Sequence, residues 1–276
     1  MAQLDLVNLD AVKLWLGVDD TSQDKILCDQ ITRVSSMVYG WLDGPGFIKK
    51  TRNEFYNGKG QYRLTLRNYP VLSVSSLTIN GRNVPANPTP PTGSGWLLEP
   101  WDGDAPAPLQ AISVSGWNFP YGSQNINVQY VSGYVTTETL TVDSDSFKAY
   151  PEQPQGLLAM DEGAVLDDGT VLTAVKSNPT SGQYVPANLL GGVNETNYYQ
   201  FANDIGGRNV TITYSFIPQA VGMVVRDLVA ERIVYRSRIG LRSKSLGGQE
   251  TMSYDINKVS DWAMQALQPY QNVVPL

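Results

Sequence analysis

The sequence predicts an α+β protein: a helical-bundle core carrying β-hairpins, with a small antiparallel β-sandwich or barrel inserted into it. Three observations predict this. The stretches 24–41 and 218–236 place apolar residues at helical spacing. Between them lie short alternating runs bounded by turn residues. The composition then shifts between 136 and 208, where ten acidic residues stand against three basic ones.

The stretch 217–248 organises the rest. Pro218 follows a β-like run and suits a first helical turn, where its missing N–H would be unpaired anyway. Val221, Val225, Val229 and Ile233 recur every fourth residue, with Val224 and Leu228 between them, giving one wide apolar face. The far end is basic. Arg226, Arg232, Arg236, Arg238, Arg242 and Lys244 oppose only Asp227 and Glu231, a local excess of four positive charges in a chain of net charge -6. Gly240, Gly247 and Gly248 end the helical pattern. This is the central helix on which the other helices are expected to pack.

Taken in order, Asn8 caps a short helix through Leu9, Val12 and Leu16, ended by Gly17. Asp19, Asp20 and the Thr21-to-Asp24 box start a second helix, with Leu27, Ile31, Val34, Val38 and Trp41 as its buried stripe. Strands 51–56 and 61–67 flank Asn57-Gly58-Lys59-Gly60, which reads as a hairpin turn. A strand over 72–80 ends at Asn80-Gly81, the strongest short hairpin signal. From Pro85 to Pro108 seven prolines predict an irregular loop that carries Trp96 and Trp101. Strands return at 112–115 and 126–131. The run from Asn125 to Val135 echoes that from Asn209 to Pro218, each a β-ribbon ending in Tyr plus a turn, which suggests a module placed between the two. The predicted division is therefore 1–135, 136–208 and 209–276, with the first and last pieces forming one core. Asp255 caps a final helix bearing Trp262, Ala263, Ala266 and Leu267, and Pro269 ends it.

Composition excludes several chemistries. Histidine is absent and Cys28 is the single cysteine. No Ser-His-Asp or Cys-His unit, His-containing zinc site, or Cys-only zinc or iron–sulfur site can form. Catalysis would rest on carboxylates, lysine or tyrosine. Cys28 lies in an amphipathic helix and reads as a small buried hydrophobe. No apolar run approaches the roughly 18 residues of a membrane span. The N-terminal residues lack the basic-then-apolar pattern of a secretory signal.

Three stretches resemble the gp6-like head–tail connector (adaptor) family of tailed bacteriophages. The first is Val12-Lys13-Leu14-Trp15-Leu16-Gly17, followed by Asp19-Asp20-Thr21-Ser22. The second spans Arg67 to Arg82. The third is the proline-initiated helix followed by Lys244-Ser245-Leu246-Gly247-Gly248 and Ser253-Tyr254. The resemblance covers about 4–84 and 209–268, and residues 136–208 depart from it. It implies a structural virion neck protein, made in the host cytoplasm, with no enzymatic activity and no cofactor or metal. Such proteins form a ring, commonly dodecameric, under the portal. The ring extends the DNA channel, lets the genome pass without specific binding, and offers a platform to the next neck or tail protein, a stopper or terminator. The portal or subunit interface is then expected at Arg232, Arg236, Arg238, Arg242, Lys244, Trp262 and Tyr270. Those cations have two further readings, a solvated helix end and, behind it, a channel wall near DNA. A channel in which DNA slides should not grip phosphates, which favours docking.

Two other classes are open to the same residues. Trp96, Trp101, Trp117 and Tyr121 could form a sugar platform on a carbohydrate-binding or decorating virion protein. The acidic residues of 136–208 could supply paired carboxylates for a hydrolase. Asp143, Asp145, Asp167 and Asp168 resemble fragments of calcium loops without the spacing of one. Packing of the aromatics and solvation of the acids explain both groups more simply.

Overall fold

The computed structural model describes residues 5–44, 46–87, 93–99, 110–186, 198–236, 243–246, 250–253 and 261–272. Two helices open the chain, α1 (Leu9–Leu16) and α2 (Asp24–Trp41). Seven strands follow: β1 (Lys50–Gly58), β2 (Arg63–Thr65), β3 (Val71–Ile79), β4 (Arg82–Val84), β5 (Gly95–Glu99), β6 (Ala111–Ser115) and β7 (Gly122–Ser132). Then come β8 (Val135–Thr141), β9 (Lys148–Ala149), β10 (Gly156–Leu166), β11 (Thr173–Ala174), β12 (Gln183–Val185), β13 (Tyr199–Phe201) and β14 (Asn209–Pro218). Helix α3 (Gln219–Arg236), the hairpin β15 (Ser243–Leu246) and β16 (Glu250–Ser253), and helix α4 (Asp261–Leu267) complete the elements. The chain divides into two units. One comprises 1–43 with 136–269, the other 44–135 with 270–276. The sequence placed divisions at 135/136 and 208/209.

The fold class differs from the expectation. Strands account for 40% and helices for 26%, so no helical bundle forms the core. The β-runs read as accessory hairpins are instead the strands of extended sheets, because they pair over long sequence distances. In the second unit β1-β7-β3-β4 make one sheet and β2-β6-β5 another. Tyr56, Leu64, Leu66, Leu77, Ile112, Phe119, Ile126, Val128 and Tyr130, drawn from both sheets, fill one core. In the first unit the sheets are β10-β14-β8 and β11-β12-β13-β9. The helices form a minority layer there: α3 touches α1, α2 and α4, and also β10 and β14.

Local signals behave as their chemistry dictates. The Asn8 carboxamide accepts the Ala11 N–H at 2.9 Å, and Gly17 closes α1 at φ 65°. Leu27, Ile31, Val34 and Val38 are buried along α2, whereas Trp41 stays partly exposed. The predicted box before α2 does different work. Asp20 accepts the Ser22 N–H at 2.8 Å, and Asp24 pairs with the buried Lys13 at 2.9 Å, fastening α2 to α1. Asn80 and Gly81, at φ 50° and 74°, turn β3 into β4. The Asn57-to-Gly60 signal is not a hairpin. Strand β1 pairs with β7 along its length, and β2 pairs with β6. Gly58 donates its N–H to Asn125 Oδ1 at 2.9 Å and lies so close to Pro120 that a Cβ would sit 1.8 Å from its carbonyl oxygen. It is glycine for close approach, not for a turn. Strand β5 lies inside the predicted irregular loop and pairs with β6.

The first six residues of the two echoing runs, Asn125–Tyr130 and Asn209–Tyr214, have a structural counterpart. Strands β7 and β14 are each flanked on both sides in their sheets. Each ends these six residues on a fully buried tyrosine whose hydroxyl is given to a glutamate on a flanking strand. Tyr130 donates to Glu54 of β1 at 2.9 Å, and Glu54 also receives Tyr56 at 2.5 Å and the Asn68 amide at 2.8 Å. Tyr214 donates to Glu138 of β8, which also accepts the N–H groups of Glu152 and Gln153 at 2.8 and 3.0 Å. Burial pushes the Tyr130 phenol up to about 12 and raises Tyr214 further, so both stay neutral donors at ordinary pH. Replacing Tyr130 or Tyr214 by Phe leaves a glutamate short of a donor inside its unit. Each change should lower stability by about 1–3 kcal/mol, read as a shifted midpoint in urea unfolding.

Candidate functional site

Helix α3 is half buried and half bare. Val221, Val224, Val225, Leu228, Val229 and Ala230 pack inward, the stripe that the sequence periodicity requires. From Glu231 onward the side chains emerge. Arg232, Val234, Tyr235 and Arg236 are all exposed and Ile233 is half-buried. The two flanking helices expose large apolar groups as well: Met37 and Trp41 on α2, Trp262 and Met264 on α4. Arg232 reaches across to α2, its guanidinium 3.6 Å from the Met37 sulfur. Trp41 lies one turn beyond Met37, and Arg236 one turn beyond Arg232. Among the described residues Arg236 has no acidic partner.

The expected interface residues are therefore dispersed. Arg232 and Arg236 share the bare end of α3, and Trp262 sits exposed on α4, which packs on α3. Arg238 and Arg242 lie outside the described residues. Lys244 is in β15, in register with Met252 of β16. Tyr270 belongs to the other unit, its ring 6.0 Å from Tyr134 and its phenol raised by burial. Sequence periodicity pointed at Ile233 and the arginines. It missed Met37, Val234, Tyr235 and Met264, because only the tertiary packing decides where a stripe stops being covered.

The other candidate groups are engaged structurally. Trp96 and Trp117 pack on the core of the second unit. Tyr121 is exposed, but its ring lies against Gly60. Trp101 lies outside the described residues. Asp143 accepts the N–H groups of Asp145 and Ser146 and the Ser146 hydroxyl, closing its own turn. Asp167 and Asp168 both bind Arg208. Asp161 accepts Tyr184 at 2.7 Å and Tyr199 at 3.1 Å, beneath the stacked rings of Tyr184, Tyr199 and Phe201. No group of three or more metal-ligating side chains occurs among the described residues. Burial pushes the Cys28 thiol up, opposite to what a reactive thiolate needs. No helix among the described residues is long and apolar enough to cross a membrane.

The carboxylates respond to pH in opposite senses. Burial raises Asp161 above its ordinary 3.8, and the two tyrosine hydroxyls only partly offset this. Its folded form binds a proton more tightly, so its contribution to stability declines as pH rises through the window above 3.8. Asp168 is held well below 3.8, first by Arg208 and then by the Thr170 hydroxyl and N–H. Its contribution is complete above 3.8 and is lost as pH falls through the lower folded value. In an Arg208→Gln variant the Asp168 carboxyl should move up toward 3.8 in an NMR titration, with Asp161 unmoved.

No protein-family model and no curated protein matches the chain.

Proposed function

We propose that this chain is a structural protein of a tailed-phage virion neck. Copies of it join side by side into a ring under the portal, DNA passes through the opening, and the ring's other face receives the next neck or tail protein. One observation carries the reading: the end of α3 leaves its own core with apolar and arginine side chains partly exposed. Apolar groups of this size, flanked by more on α2 and α4, are costly to leave in water and mark association surfaces. Met, Trp, Tyr and Arg are also the residues enriched where proteins meet. The motif resemblances in α1, β3 and α3 add to this. The sheet-dominated fold differs from the helical bundle that the resemblance implied, so the reading rests on the surface and the motifs and not on the fold class.

The ring reading requires heterologous contacts, in which one surface of a copy meets a different surface of its neighbour and the rotation closes. A carbohydrate-binding role has less support, since Trp96 is committed to packing. A carboxylate-based hydrolase likewise has less, since Glu54, Glu138, Asp161, Asp167 and Asp168 all hold structural partners.

Electron microscopy of the purified chain, alone and with its portal, tests the proposal through particle symmetry. Tyr235→Asp combined with Met264→Asp, at side chains still more than half covered, should cost roughly 1 kcal/mol per site with the fold persisting in urea unfolding, and abolish ring particles. A stable monomer that never joins the portal would rule the proposal out.

A further inference from the structure

A heterologous ring contact needs a second surface, and the first unit holds one that complements the bare end of α3. Beside α1 an open groove of about 420 Å³ has apolar walls, Leu6, Val7, Leu157 and Met223 among them, and is lined also by Asn8 and Arg226. It is a built feature of one unit. The Leu6 N–H is held by the buried Ser35 hydroxyl at 3.0 Å, which seats the N-terminal segment. Next to the groove α1 turns Leu14 and Trp15 outward, 85% and 56% exposed. These are the exposed large apolar groups of a short helix whose inner face is already satisfied by Leu9 and Val12.

The charges around this groove are one-sided. Arg226 lies over the Trp15 ring at 4.0 Å and is paired with Asp227 at 3.1 Å. Lys13 is buried against Asp24. Arg226 and Lys13 are thus neutralised locally. Asp10, Asp19 and Asp20 are exposed and none forms an ion pair among the described residues. The first turn of α2 returns one exposed cation, Lys25. The α1 side is therefore apolar and acidic, whereas the α3 end is apolar and carries Arg232 and Arg236 against Glu231.

We propose that the basic end of α3 in one copy docks on the groove and acidic face of α1 in the next copy. This rests on the ring reading and specifies its contact. Val234 and Tyr235 lie against Leu14, Trp15 and the groove mouth, where apolar area supplies affinity. Arg232 and Arg236 face Asp10 and Asp19, where opposite charge fixes orientation and speeds encounter. The two surfaces are different patches of the same chain, so in the proposed ring each copy offers one to each of two neighbours; a reciprocal two-fold dimer would instead stop at twice the monomer mass in sedimentation.

Charge exchange tests it. One variant carries Arg232→Glu with Arg236→Glu, the other Asp10→Arg with Asp19→Arg. Each alone should associate at least about tenfold more weakly in sedimentation velocity, with and without the portal protein. Mixed in equal amounts they should recover association, because each reversed surface then meets a complementary one. If reversing the α1 face leaves rings intact, or if the mixture fails to recover, the contact is overturned while the ring reading stands. If the unaltered chain forms no ring and does not join the portal, the ring reading fails first. A second measurement guards against misfolding. In a Cys28→Ser background, Leu14→Cys and Tyr235→Cys proteins should form mixed disulfides with each other in preference to disulfides with themselves. Self-pairing of Tyr235→Cys as the main product would indicate a two-fold contact and overturn the proposal.

Discussion

The end of strand β14 is the constraint on which the first unit depends. Tyr214, Ser215, Phe216, Ile217 and Pro218 are buried in succession, so neither face of the strand meets water there. Strand β10 covers one edge, pairing Gly156 with Pro218 and Leu157 with Ile217. Helix α3 begins at the very next residue. No linker separates strand from helix, so the direction of α3 is set by a strand that cannot tilt. Its first three turns are consumed by the core, and in its last turns the side chains become partly exposed. The bare, arginine-bearing end is a consequence of that geometry: a helix longer than the layer it covers.

Within each unit the central strand is tied by the same device. A buried tyrosine, Tyr130 in β7 and Tyr214 in β14, passes its hydroxyl to a glutamate on a flanking strand. In low dielectric such a bond is stronger than in water, and its loss costs more. The device also accounts for part of the acidic character of 136–208. Glu138 and Asp161 are not surface decoration. They hold tyrosines, and the Tyr184, Tyr199 and Phe201 rings stack where a small four-stranded sheet of very short strands has little backbone pairing to rely on. A sheet whose strands are two and three residues long needs such side-chain support.

What was legible in the sequence was what is local. Asn8 and Gly17, Asn80-Gly81, and the stripes of α2 and α3 all encode geometry within a few residues, and each appears where its chemistry demands. The balance of the fold was not legible, because it depends on which strand meets which. Lys50 pairs with Ser132 across the whole second unit, and no residue near β1 announces it. Gly58 illustrates the ambiguity: a turn and a close backbone approach both require glycine, and only the partner, Pro120, distinguishes them. Strand β5 was hidden by the prolines on either side. The arginines of α3 were legible as a basic cluster. Their exposure was not, since periodicity predicts an apolar face but not where the covering layer ends.

The balance of apolar and charged groups at the two proposed surfaces has a physical consequence for the choice of partner. Arginines that served a DNA path would meet phosphates, and each neutralised phosphate would add affinity that a sliding genome must lose again. Arginines that meet carboxylates on a neighbour carry no such penalty. They sit beside Val234 and Tyr235, and burying those side chains contributes on the order of 25 cal/mol per Å² of apolar area. Exposed ion pairs alone contribute 1 kcal/mol or less, roughly, and are screened by salt. An assembly held by the apolar part and oriented by the charged part should therefore keep its symmetry as salt rises while its rate of formation falls. A phosphate-gripping surface would instead lose its affinity steeply over the same range. The exposed side chains of α3 have the composition of the first kind of surface.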